Sequence, residues 1–234
     1  MSKRVPQRHP VERAAELVAG MNNRNFPIAL DGLIFIIPLA VLTGVLAYLE
    51  AGGVSLFFLA ATLFVLWFFR NPERVTPEGE KAVISPADGR VIKIEEVEEQ
   101  EMLRERVRKV SIFMNIFNVH VNRAPCAGTV KEIVYRKGKF FSANLDKASV
   151  FNERNSVLIE TVDGNQILTI QIAGMIARRI VCWVTRGIGV EKGERFGLIK
   201  FGSRLEVFMP LDATIPVKVG DKVRAGETRI GYLI

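Results

Sequence analysis

The sequence predicts a mainly β fold with some helix (α+β): a compact, antiparallel-rich β domain with barrel-sandwich-like elements, preceded by an N-terminal helical membrane hairpin. Three features carry that expectation. Two apolar stretches, 32–49 and 51–69, hold no charged residue over 18 and 19 positions. Beyond Pro72, short runs rich in β-branched residues alternate with turn residues. The last stretch, PVKVGDKVRAGETRIGYLI at 216–234, has a strand–turn–strand rhythm.

Residues 1–25 come first, as a basic segment with five basic and two acidic side chains, in which 11–20 suits a short amphipathic helix after Pro10. Residues 26–70 are the expected hairpin. Its two runs approach the roughly 20 residues needed to cross a bilayer core. Glu50 interrupts them, and Gly52-Gly53 beside it is turn chemistry. Arg24 precedes the first run, and Arg70 and Arg74 follow the second, which places both outer ends on the cytoplasmic side of the cell membrane. Trp67 and Phe68 suit an interfacial aromatic belt. A pair of buried core helices is the alternative, and a hairpin that dips without crossing is another. A cleaved signal peptide fits poorly: the run starts late, is long, and continues into a second run without a small-residue cleavage site.

Pro72, Pro77 and Gly79 mark the passage into residues 71–234, the β domain. Strands are expected at 89–95, 109–113, 129–135, 156–161, 166–172, 180–185, 197–201 and 205–209. Asp163-Gly164 is a hairpin turn. The heavily charged 95–108 reads as a solvated helix or loop. The rhythm of 216–234, echoed at 85–94, is that of barrel-sandwich domains related to the lipoyl and biotinyl carriers. No lysine sits in a carrier-type Met-Lys-Met turn, which argues against a swinging arm.

Net charge is +7, the pI is about 9.6 and mean hydropathy is +0.20. That balance calls for an anionic partner. The chain has no RNA-binding signature and no basic stripe with interleaved aromatics, so the expected partner is an anionic phospholipid membrane and not nucleic acid. Cys126 and Cys182 stand in no metal-ligand spacing and read as reduced structural thiols. His9 and His120 are the only histidines, so no histidine metal site is expected.

Four positions could carry chemistry. Gly202–Ser203 is the only Gly-Ser pair in the chain. A buried serine after glycine can attack the carbonyl behind it, since glycine offers no side chain to block the approach and accepts strained dihedrals. Asp88, in SPADG at 85–89, is either an ordinary turn residue or a carboxylate that orients a base or binds an ammonium group. His120 ends the apolar run IFMNIFNVHV and is the only histidine of the β domain. It is a packed structural residue or, in an enzyme, the general acid/base. Arg123 is a surface residue or a partner for a carboxylate or phosphate.

Together these motifs resemble the phosphatidylserine decarboxylases, and more closely their short form. The resemblance rests on the basic N-terminus, the hydrophobic segments, FRNP at 69–72, SPADG at 85–89, HVNRAP-x-x-G at 120–128, FNERN at 151–155 and F-G-S at 201–203. It implies a self-processing enzyme. Ser203 matches the processed serine: its hydroxyl would attack the Gly202 carbonyl, and elimination and hydrolysis would leave a pyruvoyl cofactor at the head of the chain continuing at Arg204. The products would be a heterodimer of the two self-cleaved chains, acting on phosphatidylserine to give phosphatidylethanolamine and CO2. Longer members use an Asp–His–Ser relay with the histidine in an H-x-x-H pair. Asp88 matches the aspartate and His120 the first histidine, whereas Arg123 stands where the second would be. The resemblance further implies that His120 protonates the decarboxylated substrate and that basic groups, Arg123 among them, hold the lipid phosphodiester.

Other classes are a membrane-anchored barrel-sandwich adaptor, a lipid-binding homologue that does not process itself, and a decarboxylase of an ether-linked serine lipid. The first two would stay uncleaved.

Overall fold

The computed structural model describes residues 26–143, 147–175, 179–200 and 202–234; the segment 1–25, with its expected helix and Arg24, lies outside them. The two charge-free runs form helices α1 (Leu33–Tyr48) and α2 (Gly52–Phe68), with a 3-10 turn at Leu30–Gly32 before them. The turn between them is not at Gly52-Gly53, which open α2. It is at Glu50, whose φ of 55° reverses the chain while Ala51 N–H caps α1 on the Leu46 carbonyl at 3.0 Å. Thr43 and Thr62 join the helices by a hydroxyl pair at 3.1 Å. Ile34, Ile37, Val41, Leu56, Phe57 and Leu63 are each more than half exposed. Helices apolar all round need an apolar medium. The segment Leu30–Tyr48, with a mean hydropathy of 2.3 over its best window, is long and apolar enough to cross a membrane.

The open end of this hairpin is sewn to the β structure. Ala29 N–H donates to Phe69 O at 2.8 Å, and Asn71 N–H to Pro27 O at 2.7 Å. Phe68 and Phe69 are fully buried in a cluster with Val119, Val121 and Leu198. Phe68 therefore does not belong to an interfacial belt as its sequence position suggests. Trp67 does suit one: it is 41% exposed, with the Arg70 guanidinium 3.8 Å above its ring.

Thirteen strands follow among the described residues. They are β1 (Ala82–Ile84), β2 (Gly89–Glu99), β3 (Glu105–Met114), β4 (Val121–Arg123), β5 (Gly128–Arg136), β6 (Arg154–Glu160), β7 (Gln166–Ala173), β8 (Ile180–Cys182), β9 (Gly189–Val190), β10 (Arg195–Ile199), β11 (Ser203–Pro210), β12 (Lys222–Val223) and β13 (Arg229–Tyr232). A short helix, α3 (Lys147–Phe151), precedes β6. The main sheet has the order β12-β2-β3-β11-β7-β6-β5-β9, antiparallel throughout. Two small sheets, β1-β13 and β4-β10-β8, close around it. Core side chains such as Val83, Ile112, Leu205 and Ile230 come from these different sheets into one cluster. The fold is thus mainly β, as the alternating runs predict.

The charged stretch 95–108 is neither helix nor loop over most of its length. It is the hairpin of β2 and β3, because its charges pair across strands. Glu95 meets Lys109 at 2.7 Å and Glu96 meets Arg106 at 3.1 Å. Such exposed cross-strand pairs add only about 0.2–1 kcal/mol each, but they favour the paired register over its alternatives. Val107, on the same face as the Glu95–Lys109 pair and opposite to Arg106, enters the core cluster beneath α3. The tip is closed by the Glu99 carboxylate, which accepts the N–H groups of Met102 at 2.8 Å and Leu103 at 2.6 Å. Both cysteines are free, and burial pushes the Cys126 thiol up to about 12, which makes it unreactive.

Candidate active site

The Gly202–Ser203 peptide lies at the head of β11, the fourth strand of the eight-stranded sheet. Ser203 pairs in register with Met114 of β3 on one side and Ala173 of β7 on the other. Its side chain is fully buried, and its hydroxyl donates to the Met114 Sδ at 3.3 Å. Gly202 enters the strand with φ of 69°. That left-handed conformation costs an L-residue roughly 1–2 kcal/mol, and glycine adopts it without penalty.

Both polar groups of Gly202 are held. Its carbonyl accepts the Gly174 N–H at 3.1 Å. Its own N–H donates to His120 Nε2 at 3.2 Å. Gly174 follows the end of β7, and only glycine fits there: a Cβ would stand 2.4 Å from the Gly202 oxygen. The amide of residue 174 is thereby brought against the carbonyl that Ser203 would attack. A donor already aimed at that oxygen is what a developing oxyanion needs.

His120 is buried under the base of the hairpin. Its ring lies 4.2 Å from that of Phe68, tilted by 32°. The Nδ1 position is 3.0 Å from Asn118 O, a partner that can only accept, so Nδ1 carries the proton and Nε2 is the bare nitrogen. Burial holds the ring neutral: its pKa falls to about 3, against the raising effect of the Asn118 carbonyl and helped by the nearby positive charge of Arg70. In this tautomer Nε2 is a proton acceptor.

A run of buried amides leads to the same place. Asn155 donates to Gln171 Oε1 at 2.9 Å, Gln171 donates to Asn122 Oδ1 at 2.8 Å, and Asn122 Nδ2 points to Met114 Sδ at 3.9 Å. The sulfur therefore lies between the Asn122 amide and the Ser203 hydroxyl. A cleft of about 210 Å³ opens beside Gly202, walled by Met114, Ile116, Ala143, Gly174 and Met175.

Of the positions singled out in the sequence, the fold brings together His120, Gly202 and Ser203. Asp88 sits in an ion pair with Arg74 at 3.0 Å and accepts the Ala225 N–H at 2.8 Å. Arg123 donates to Gly193 O and to Pro72 O, each at 2.8 Å. Among the described residues, neither Asp88 nor Arg123 hydrogen-bonds or ion-pairs with His120, Gly202 or Ser203. Together they clamp the segment that leaves the hairpin. Sequence reading missed Gly174, Met114, Asn122 and Phe68. Gly174 had a signal, as a glycine two residues past the expected strand 166–172; the other three look like ordinary strand or helix residues.

The residues around position 203 fit a pyruvoyl group. Such a group is no bulkier than serine, and the Ser203 side chain that it replaces is fully buried beside Met114.

The sequence model of the phosphatidylserine decarboxylase family matches residues 61–231. A phosphatidylserine decarboxylase proenzyme of Syntrophus aciditrophicus is 60% identical over 206 residues, covering 87% of this chain and 96% of that protein. Proenzymes of the same description from Desulfotalea psychrophila and Geotalea uraniireducens are 48% and 46% identical, over 89% and 91% of this chain and 97% and 100% of their own lengths.

Proposed function

The chain belongs to the phosphatidylserine decarboxylase family, and from that premise we propose that it is a proenzyme that cuts its own Gly202–Ser203 bond and then converts phosphatidylserine to phosphatidylethanolamine and CO2. The observation that carries this reading is the Gly202 peptide itself, with its carbonyl on the Gly174 amide, its N–H on His120, and a buried hydroxyl one residue away.

Processing starts when the Ser203 hydroxyl leaves Met114 Sδ and adds to the Gly202 carbonyl carbon. The Gly174 N–H stabilises the oxyanion. Breakdown of the adduct breaks the Gly202–Ser203 C–N bond, the nitrogen takes up the hydroxyl proton, and an ester remains. Loss of the α-proton of residue 203 then expels the Gly202 carboxylate and leaves dehydroalanine. Tautomerisation and hydrolysis release ammonia. The chain is left as residues 1–202 and a 32-residue piece headed by the pyruvoyl group. His120, neutral with Nε2 unprotonated, is a proton acceptor one hydrogen bond away from the Gly202 amide. Its burial keeps Nε2 unprotonated at physiological pH and makes it a weak base, whose lone pair accepts the Gly202 N–H until the peptide rearranges. The acceptor role suits this tautomer better than the donor role that the resemblance implies.

When formed, the group supplies a ketone conjugated with an amide carbonyl, which accepts electrons as CO2 leaves. The chain's own part is to hold the substrate carboxylate in the apolar cleft and to exclude water. We assign Asp88 and Arg123 to positioning: they fix Pro72 and Arg74, and through them the hairpin's end, against the site. Residues 26–70 are the membrane hairpin and 71–234 the catalytic domain. Arg70 and Arg74 after the second helix put that domain on the cytoplasmic side of the cell membrane, against anionic lipid.

Intact mass under denaturing conditions tests the proposal. Wild type gives two chains, the smaller beginning at a blocked residue 203, and Ser203→Ala stays as one inactive chain. Full decarboxylase activity from an uncleaved wild-type chain would refute it.

A further inference from the structure

We propose that the protein carries a second lipid site: a basic cavity that binds the phosphate of an anionic phospholipid other than the one reacting. The cavity is about 550 Å³; it shares Phe113 and Asn115 with the cleft at Gly202 and is otherwise lined by different residues. Its walls include Arg90, Lys222, Arg224, Asp88, Phe113 and Phe117. Of these charges, the one carboxylate is already taken by Arg74 and by the Ala225 amide. Arg224 also meets Glu227, at 3.6 Å and largely in solvent, where such a pair contributes little. The cavity is therefore left positive, and an anion suits it.

Its position points to a lipid. Phe117 is 60% exposed, and its ring lies 6.1 Å from that of Trp67, at the end of α2. Arg70 ties the two together, donating to Phe117 O at 2.9 Å and lying over Trp67. The cavity mouth thus stands at the level where the apolar helices end, which is where headgroups lie.

Distance separates it from the reacting headgroup; this step rests on Ser203 as the reaction centre. Lys222, Arg90, Phe113 and Arg204 are register partners in one row across β12, β2, β3 and β11. Neighbouring strands lie about 4.8 Å apart, so the backbones of Arg90 and Lys222 stand roughly 10 and 14 Å from β11, the strand of the scissile bond. Arg90 also donates to Gly220 O at 2.7 Å, which turns its guanidinium away from β11. In a serine headgroup only four single bonds of about 1.5 Å separate nitrogen from phosphorus, at most about 6 Å. A headgroup whose amine is at residue 203 therefore spans less than the backbone separation from β11 to Arg90 or Lys222.

The test uses the full chain as the Ser203→Ala precursor in detergent micelles, so that binding is read without catalysis. Dihexanoyl phosphatidylglycerol, dihexanoyl phosphatidylcholine and inorganic phosphate are titrated, and the thermal midpoint is followed. The anionic lipid should raise the midpoint and the zwitterionic one should not. Adding Lys222→Glu and Arg224→Glu, both exposed, should weaken the apparent affinity at least about tenfold. The midpoint without lipid checks the fold. Lys131→Glu with Arg136→Glu, on β5, should leave binding intact. Equal loss in that control, no shift with the anionic lipid, or an equal shift with inorganic phosphate overturns the proposal. None of these outcomes depends on whether the wild type cleaves.

Discussion

Gly202 and Gly174 are both required to be glycine, for different reasons. Gly202 has open space where a Cβ would go, but a φ of 69° that an L-residue resists. Gly174 has ordinary dihedrals and no space, since its missing Cβ is where the Gly202 oxygen sits. Alanine at 174 must push that carbonyl and the amide apart. The cost falls on the oxyanion contact, because the rest of β7 is held by its ladders to β6 and β11. Losing one such donor slows acyl chemistry about 10²–10³-fold. Gly174→Ala should therefore fold and accumulate as precursor, with the half-time of cleavage lengthened by that order. Cleavage at the normal rate, followed by mass after cell-free synthesis, would show that the amide is not the oxyanion donor. Gly202's tolerance of strain is legible from its place before Ser203, whereas Gly174's role is an approach between residues 28 positions apart, which a sequence does not display.

The second hairpin helix reaches the site itself. Its last residue, Phe68, is fully buried on His120, and burying such a side chain contributes about 1.5–3 kcal/mol. The same contact keeps water from the imidazole and so lowers its pKa. With the folded pKa at about 3, the wild-type ring stays neutral from neutral pH down to that value. Its protonation should leave no inflection in the cleavage rate between about pH 5 and 8, where a free histidine titrates. Phe68→Leu keeps most of the apolar volume but opens the ring face. The pKa then rises toward the ordinary value, and the cleavage rate should fall as pH is lowered through about 6. A flat profile in Phe68→Leu would mean that the hairpin does not tune the base. The charge-free run predicts that this helix exists, but not that its end reaches the site. Apolar periodicity does not distinguish a lipid-facing phenylalanine from one that covers a histidine. The β2–β3 hairpin shows the converse: its charges read as a solvated helix or loop because cross-strand pairing is invisible in one dimension.

Across the whole molecule, the strands were legible as short runs rich in β-branched and apolar residues between turn residues, as in β5–β7 and β11, although β6, β7 and β11 are buried on both faces and only β5 keeps an exposed side. The order of the strands was not, because β11 pairs with β3 and β7 and neither adjoins it in sequence. Ser203 and His120 stood out one by one, while their meeting depends on that order. The same topology decides the fate of the cut chain. The 32-residue piece contributes β11 to the middle of the main sheet, β12 to its edge, and β13 to a separate pairing with β1. Leu205, Val207 and Met209 of β11 are fully buried, at about 1.5–3 kcal/mol each. Taking this piece out would split the sheet between β3 and β7, expose two unpaired edges and empty the core. The two chains should therefore remain one particle after cleavage, co-eluting in gel filtration at high dilution and separating only when the sheet unfolds. In a urea titration, release of the small chain should coincide with loss of the β signal. Its release at lower urea, with the larger chain still folded, would mean that the cut strand is held at an edge and not at the centre.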